Sequence, residues 1–347
     1  MLNLKKSSRG KSFLDLSLSE GPQHFIIVND QERHLAFPDI SQTRSGNLLI
    51  VFRNGAGHVD TSGKIMLVRG VYSQNGLQFE PPQCVINTEF DDRDPSIVEL
   101  VNGTLLLNFF RLNKNTGQLF LSCTKSSDGG KSWSPPRDMA FQGFSEGLAT
   151  SDAIVEMPSG DLLMAVYGKA DDGQSGAYLI RSKDAGMTWP QVTPLALSQT
   201  PIFEEPAIAM HSDGRLIAFL RTDNRGIGFI YQTESRDEGY TWTPPERLDL
   251  WGFPADLLPL KNGGLLATYG YRQLPAGIRY CLSGDGRSWS VYHEEVLRAD
   301  GHDEGELGYP SSVELESGVI LTVYYFTAKD GSDRPFIGGT LYRLPEH

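Results

Sequence analysis

Along most of this 347-residue chain, an apolar run, a short polar turn ending in glycine and a second apolar run recur in the same order. The copies are PDISQTRSGNLLIVF, DPSIVELVNGTLLLNFF, DAIVEMPSGDLLMAVYG, EPAIAMHSDGRLIAFLR, PADLLPLKNGGLLATYG and YPSSVELESGVILTVYY. Short runs rich in branched and aromatic residues, bounded by turn residues, predict paired β-strands. The turn glycines, Gly46, Gly103, Gly160, Gly214, Gly263 and Gly318, are spaced 57, 57, 54, 49 and 55 residues apart. A period of this size marks a repeat architecture, in which no unit buries its apolar face alone. Each unit reads as two inner strands, a third strand, a turn and an outer fourth strand. Six such units predict an all-β fold, a six-bladed β-propeller with four-stranded antiparallel blades. The unbroken repeat argues for a single domain over 1–347, with blades at roughly 35–90, 91–145, 146–200, 201–250, 251–300 and 301–347. The last unit runs out at FIGGTLYRLPEH, so an early strand near 24–28, within HFIIV, is expected to complete it and close the ring.

A second repeat lies between the third and fourth strands. It reads SSDGGKSW from Ser126, SKDAGMTW from Ser182 and SRDEGYTW from Ser235, with a shortened copy, SGDGRSW, at Ser283 and a degraded one, YSQNGLQF, at Tyr72. Asp accepts hydrogen bonds from nearby backbone N–H groups and Gly takes a positive φ without strain, which together make a tight turn. The Trp opens the next strand and packs under the turn with a large apolar area. The phrase resembles the Asp-box of sialidase-like proteins. These residues serve the turn, and none of their aspartates is a candidate for chemistry.

Composition narrows the partners. A net charge of −12 argues against a nucleic-acid binder or a binder of anionic membranes. No run is long and apolar enough to span a bilayer. The start, MLNLKKSSRGKSF, has basic residues but no apolar core, so no signal peptide is visible. The expected location is cytoplasmic, or secreted or periplasmic if a leader has been trimmed. Cys84, Cys123 and Cys281 are odd in number and widely spaced, and read as buried strand residues rather than a disulfide framework. The seven histidines show no ligand spacing, so neither a metal nor another cofactor is expected.

Distance from each turn glycine indexes the mouth of a propeller. The inner strand begins at that mouth, and its partner returns there. Nine residues before the glycines lie Phe37, Asp94, Ser151, Glu205, Pro254 and Tyr309; eight before, Pro38, Pro95, Asp152, Pro206, Ala255 and Pro310. Seven after lie Arg53, Phe110, Tyr167, Arg221, Gly270 and Tyr325, with Arg272 just beyond Gly270. Polar groups on these rings are candidates because the fold makes them converge.

Glu205 opens one strand whose partner ends in Arg221, and Tyr309 opens the last blade. This looks like the sialidase pattern in the same two blades. The resemblance implies that Tyr309 attacks the anomeric carbon and Glu205 takes its proton. A sialic acid carries a carboxylate on that carbon; a neutral Tyr deprotonated during attack avoids the repulsion an anionic carboxylate would meet. Three arginines hold the sugar carboxylate in the family, because a guanidinium fork binds it bidentately and stays charged. Arg221 matches one, and Arg272 lies near another. The first is missing: the family's Arg-Ile-Pro reads Ala36-Phe37-Pro38, and the Glu that pins that Arg reads Tyr325. Arg93 and Arg53 are the possible stand-ins. The family's acid/base Asp, on the loop after blade one's second strand, has Lys64 at its position. Asp60, with His58 beside it, is the nearest carboxylate; Asp94 and Asp152 are alternatives. His302, Glu304 and Glu306, in HDEGELGYP, read as solvated loop charges.

The resemblance therefore implies an exo-acting, retaining glycoside hydrolase that removes a terminal acidic sugar from a glycan. Tyr309, Glu205 and Asp60 would be catalytic. Arg221, Arg272, Arg93, Arg53, Asp94, Asp152, Tyr167 and Tyr325 would line the sugar. Two other readings stay open. One is a propeller glycosidase or lyase for a uronic-acid or arabinose glycan that works through carboxylates, favoured by the missing Arg. The other is a glycan-binding propeller without turnover.

Overall fold

The computed structural model describes residues 5–6, 12–14, 21–222, 228–303, 306–329, 331 and 333–345. Six antiparallel sheets stand around a central channel, each an up-and-down meander from an inner to an outer strand. Blade 2 is typical: Asp91–Glu99, Leu105–Leu112, Leu119–Ser126 and Arg137–Asp138. The inner and middle strands are nearly continuous apolar runs because both faces of each sheet are covered by neighbouring blades. Two sheets depart from four strands. Blade 1 has seven, gaining short strands that include Lys5–Lys6 and Ser12–Leu14, and blade 3's inner strand is split into Leu148–Ala149 and Val155–Glu156.

The ring closes as expected. Gln23–Val28 is the outer strand of the last blade, pairing with Phe336–Arg343 behind Leu307–Glu316 and Val319–Phe326. Phe25 is fully buried there, directly opposite Gly339. A Cβ on Gly339 would lie 2.8 Å from the Phe25 ring, so only glycine lets the ring seat. The Asp-box turns also form. Asp128 accepts from the backbone N–H groups of Lys131 and Ser132, both at 3.0 Å, and from the Ser132 hydroxyl at 2.5 Å. Asp184, Asp237 and Asp285 repeat the motif. Trp242 donates to the Gly239 carbonyl of its own turn at 3.2 Å, and the outer strands start some residues after the Trp; Trp189 precedes Gln191–Leu197. The degraded copy at Tyr72 makes a two-residue hairpin instead, with Ser73 opposite Gly76.

At the channel mouth the inner strands share one distortion. Phe37, Asp94, Glu205 and Tyr309, all nine residues before their turn glycines, have φ of 55°, 45°, 40° and 47°. In each, two residues on the inner strand oppose one on its partner, a β-bulge. Left-handed backbone in non-glycine residues costs on the order of 1–3 kcal/mol each, and the closed ring holds it in place. The bulge turns these four side chains towards the mouth.

Deeper in the channel, carboxylates join blades. Asp39 accepts from the Ile97 N–H at 2.7 Å and the Ser311 hydroxyl at 2.7 Å, linking blades 1, 2 and 6. Asp152 accepts from the Ile208 N–H at 2.8 Å, and its carbonyl takes the Asn108 side chain at 2.9 Å, linking blades 2, 3 and 4. Asp256 accepts from the Thr268 hydroxyl at 3.3 Å. Burial pushes Asp39 up to about 6 and Asp152 up to about 7, and it pushes Asp256 well above the usual range with help from the other two charges. These carboxyls keep their protons in the folded protein at a pH where the unfolded chain has lost them. The folded state therefore binds more protons from about pH 4 to about pH 7, and stability falls as pH rises through that window. Urea denaturation at about pH 5 and about pH 8 is expected to give the lower midpoint at the higher pH; an equal or higher one contradicts the buried, protonated channel.

Candidate active site

Glu205 and Tyr309 meet across the mouth from blades 4 and 6. The Tyr309 hydroxyl donates to Glu205 Oε1, and Arg221 Nη1 donates to Glu205 Oε2 at 2.6 Å. Glu205 is buried. Burial, then the charges of Glu205 and Asp94, push the Tyr309 hydroxyl well above its ordinary value, against the pull of Arg221. The Tyr is thus a neutral phenol with a carboxylate already on its proton. That arrangement suits a nucleophile deprotonated only during attack.

The arginines divide into two kinds. Arg221 and Arg272 stand over one ring, Phe253, at 4.7 and 5.1 Å from its centroid. Arg272 donates to the Leu307 carbonyl at 3.1 Å and the Tyr325 hydroxyl at 3.4 Å, and among the described residues it meets no carboxylate. Arg93 reaches the mouth over Phe37, at 5.0 Å, but it also lies 3.6 Å from Asp94 and 3.1 Å from Asp91. Arg53 does not face the mouth, contrary to expectation. It is fully buried and donates to Asp91 at 2.8 Å, the Gly57 carbonyl at 2.8 Å and the Asp60 carbonyl at 3.4 Å. Its register is right, but the buried carboxylate of Asp91 captures the guanidinium and turns it into the loop.

Phe37, Tyr309 and Tyr325 form an aromatic wall at the mouth. Phe37 lies 4.7 Å from Tyr309 and 5.6 Å from Tyr325, and the two tyrosine rings are 5.7 Å apart. Tyr167 comes to the mouth from blade 3. Burial and then the charges of Glu205 and Asp94 push its hydroxyl well above the usual value. Asp94 is 4% exposed, and one of its oxygens has no hydrogen-bond partner. Burial raises it to about 7, against Arg93. Asp152 is the channel link described above and lies below the mouth.

Asp60 departs from expectation as a proton donor. Hydrogen bonds from Ser62 hold its carboxyl below the usual range, so it is ionised near neutrality. Its backbone N–H is tied to Asp91 at 3.0 Å. Glu306 departs from the reading of a solvated loop charge: one of its oxygens contacts both His34 Nε2 and His58 Nδ1, the latter at 3.0 Å. The ligand atoms of these three residues lie within 4.8 Å of one another, a juxtaposition that sequence spacing did not predict. Glu304 lies outside the described residues. Phe253 and His34 carry no signal of their own. Phe253 does occupy the tenth position before its turn glycine, the register that also holds Ala36 and Arg93.

The family described as BNR repeat-like domain matches residues 46–322. No curated protein sequence matches the chain. Among solved structures, a protein of unknown function from Dyadobacter fermentans superposes with a TM-score of 0.81 at 25% identity, over 94% of this chain and 100% of that one. The Hadza microbial sialidase Hz136 gives 0.68 at 20% identity, over 90% of this chain and 66% of its own. The Trypanosoma rangeli sialidase, as a covalent intermediate with 2,3-difluorosialic acid, gives 0.69 at 14% identity, over 93% and 59%. These two likenesses are of fold.

The buried Arg53–Asp91–Arg93 group fixes the loop between Gly55 and Lys64, with both guanidinium groups on the one carboxylate of Asp91. Removing one partner of such a group leaves an uncompensated buried charge. Asp91→Asn is expected to lower folding stability by about 3–5 kcal/mol, read as a shift in the urea midpoint. An unchanged midpoint contradicts the structural role given to Arg53.

Proposed function

The chain belongs to the BNR repeat-like family, and from that membership and this mouth we propose that it is an exo-acting glycoside hydrolase that removes a terminal acidic sugar with retention of configuration. The hydrogen-bonded chain Tyr309–Glu205–Arg221 carries the reading. Tyr309 Oη attacks the anomeric carbon while its proton passes to Glu205. As Glu205 becomes neutral, Arg221 loses its partner charge. It then holds the sugar carboxylate together with Arg272, which stands over the same Phe253 ring. Arg93 flanks the aromatic wall, against which the sugar's apolar face stacks. Tyr167 and Asp94 close the opposite side and are suited to the hydroxyls.

The wall of Phe37 and Tyr325 favours a second reading. It takes the place of one arginine, so the sugar's carboxylate is held by a smaller cationic surface. That suits a uronic acid, whose carboxylate sits away from the anomeric carbon, as well as a sialic acid.

Tyr309→Phe is expected to lower turnover of an aryl sialoside or aryl uronide by roughly 10³-fold or more, since it deletes the attacking oxygen. The assay is fluorescence from the released aglycone. If the variant keeps wild-type turnover, the Tyr mechanism fails. If wild type releases uronic acid and no sialic acid, the second reading stands. If glycans bind but no sugar is released, the enzyme assignment itself falls.

A further inference from the structure

Cleavage of a glycosidic bond needs a proton on the departing oxygen, and the Tyr309–Glu205–Arg221 chain does not supply it. Asp60 is ionised, and Asp94 is only 4% exposed and held beside Arg93 at 3.6 Å. We propose that His58 is the acid/base of this site, with Glu306 and His34 as its positioning residues; the inference rests on the glycosidase reading above.

The geometry comes from three blades. His58 sits on the loop between Asn47–Gly55 and Lys64–Ser73, with its side chain 47% exposed. Its ring stands edge-on to Phe37 at 5.4 Å, and Phe37 is the ring that packs on Tyr309 at 4.7 Å. The imidazole is therefore one ring away from Tyr309 and is half-exposed at the rim. Its backbone is held in place. The His58 carbonyl accepts from Arg93 at 2.6 Å and the Gly57 carbonyl from Arg53 at 2.8 Å, while the Asp60 N–H donates to Asp91 at 3.0 Å. The ion group that fails as a sugar clamp thus fixes this loop.

Glu306 fixes the ring. One of its oxygens receives His58 Nδ1 at 3.0 Å and also His34 Nε2. Burial acts to raise its carboxyl, but the hydrogen bonds from His34 and His58 outweigh that and hold it well below the usual range. An ionised carboxylate only accepts, so both nitrogens must carry hydrogen. His58 then has Nδ1–H on Glu306 and presents Nε2 as its titrating position, the arrangement that lets a carboxylate-oriented imidazole trade protons. His34 is buried, and its Nδ1 has no partner. With Nε2–H on Glu306, that Nδ1 is a bare acceptor. A metal on Nε2 would instead leave a buried N–H unsatisfied, which is the more costly state and argues against a metal centre here.

In the first step the bond from the anomeric carbon to the leaving oxygen breaks. Its electron pair stays on that oxygen, which takes the Nε2 proton of a His58 imidazolium and leaves the ring neutral, with Nδ1–H still on Glu306. Tyr309 Oη forms the new bond to carbon and gives its proton to Glu205. In the second step water attacks the same carbon and yields a proton to His58 Nε2. The carbon–Tyr309 bond breaks, its pair returns to Oη, and Oη recovers its proton from Glu205.

The test compares an aryl glycoside and a disaccharide of the same acidic sugar, sialic or uronic, in the wild type and in His58→Gln. Losing the acid is expected to slow the disaccharide by roughly 10²–10⁴-fold and the aryl glycoside, whose leaving group needs no proton, by under about 10-fold. For Glu306→Gln, ring ¹⁵N NMR is expected to show the neutral His58 proton leaving Nδ1 for Nε2, a change that a purely structural role would not produce. Equal losses on both substrates overturn the proposal. So does the same substrate dependence in Asp94→Asn in place of His58→Gln, or activity that chelation abolishes and a divalent metal restores. A wild type inert on both sugars overturns the glycosidase reading itself, whereas an active wild type with an indifferent His58→Gln overturns only the acid/base assignment.

Discussion

A left-handed residue on a β-bulge, repeated in four blades at one level of the ring, is the constraint on which the site depends. Phe37, Asp94, Glu205 and Tyr309 all take this conformation, and each is followed by proline. A regular strand would alternate its side chains between blade faces. The bulge breaks that alternation where the strand enters the mouth, so Tyr309, Glu205, Asp94 and Phe37 all face one volume. An isolated hairpin would relax such backbone. Here the inner strands are pinned on both sides by neighbouring blades and axially by Asp39 and Asp152, so relaxing one bulge would mean breaking several inter-blade hydrogen bonds.

The charges at the mouth follow from how completely each is compensated. Arg53 and Asp91 are both fully buried, and such a pair persists only with its hydrogen bonds filled; here loop carbonyls and backbone N–H groups fill them. Arg221 is paired with Glu205 at 2.6 Å, so its charge is engaged by that carboxylate. Arg272 has no such partner among the described residues and holds its place through a carbonyl and a phenol. Three guanidinium groups that share a register or a neighbourhood thus have three different electrostatic roles.

The aromatic wall and the histidine pair belong together. Phe37 contacts Tyr309, Tyr325 and His58, and His34 packs against His58 and Tyr325. Phe37 and Tyr325 thus form the apolar edge on which an imidazole rests. Glu306, which accepts from that imidazole, comes from the segment leading into Tyr309, so the two residues are three apart in the chain.

The sequence by itself determined the ring. Apolar runs at a steady period, turn glycines and Asp-box turns are local signals, and blade number, strand order and the closing strand at Gln23–Val28 follow from them because only closure buries every blade face. The register also placed Glu205, Tyr309 and Arg221 at the mouth, where they meet, since equal distance from the turn places residues at equal height. Tertiary structure decided where long side chains point and which charges neutralise one another. Arg53 and Arg221 are both seven residues beyond their turn glycines, yet one turns into a loop to meet Asp91 and the other lies at the mouth on Glu205. Asp60 and His58 are neighbours on one loop, but only the fold brings Glu306 from the last blade against the imidazole while Ser62 holds the carboxylate ionised. Partners 248 residues apart leave no periodic trace in the sequence, because their pairing depends on the ring having closed.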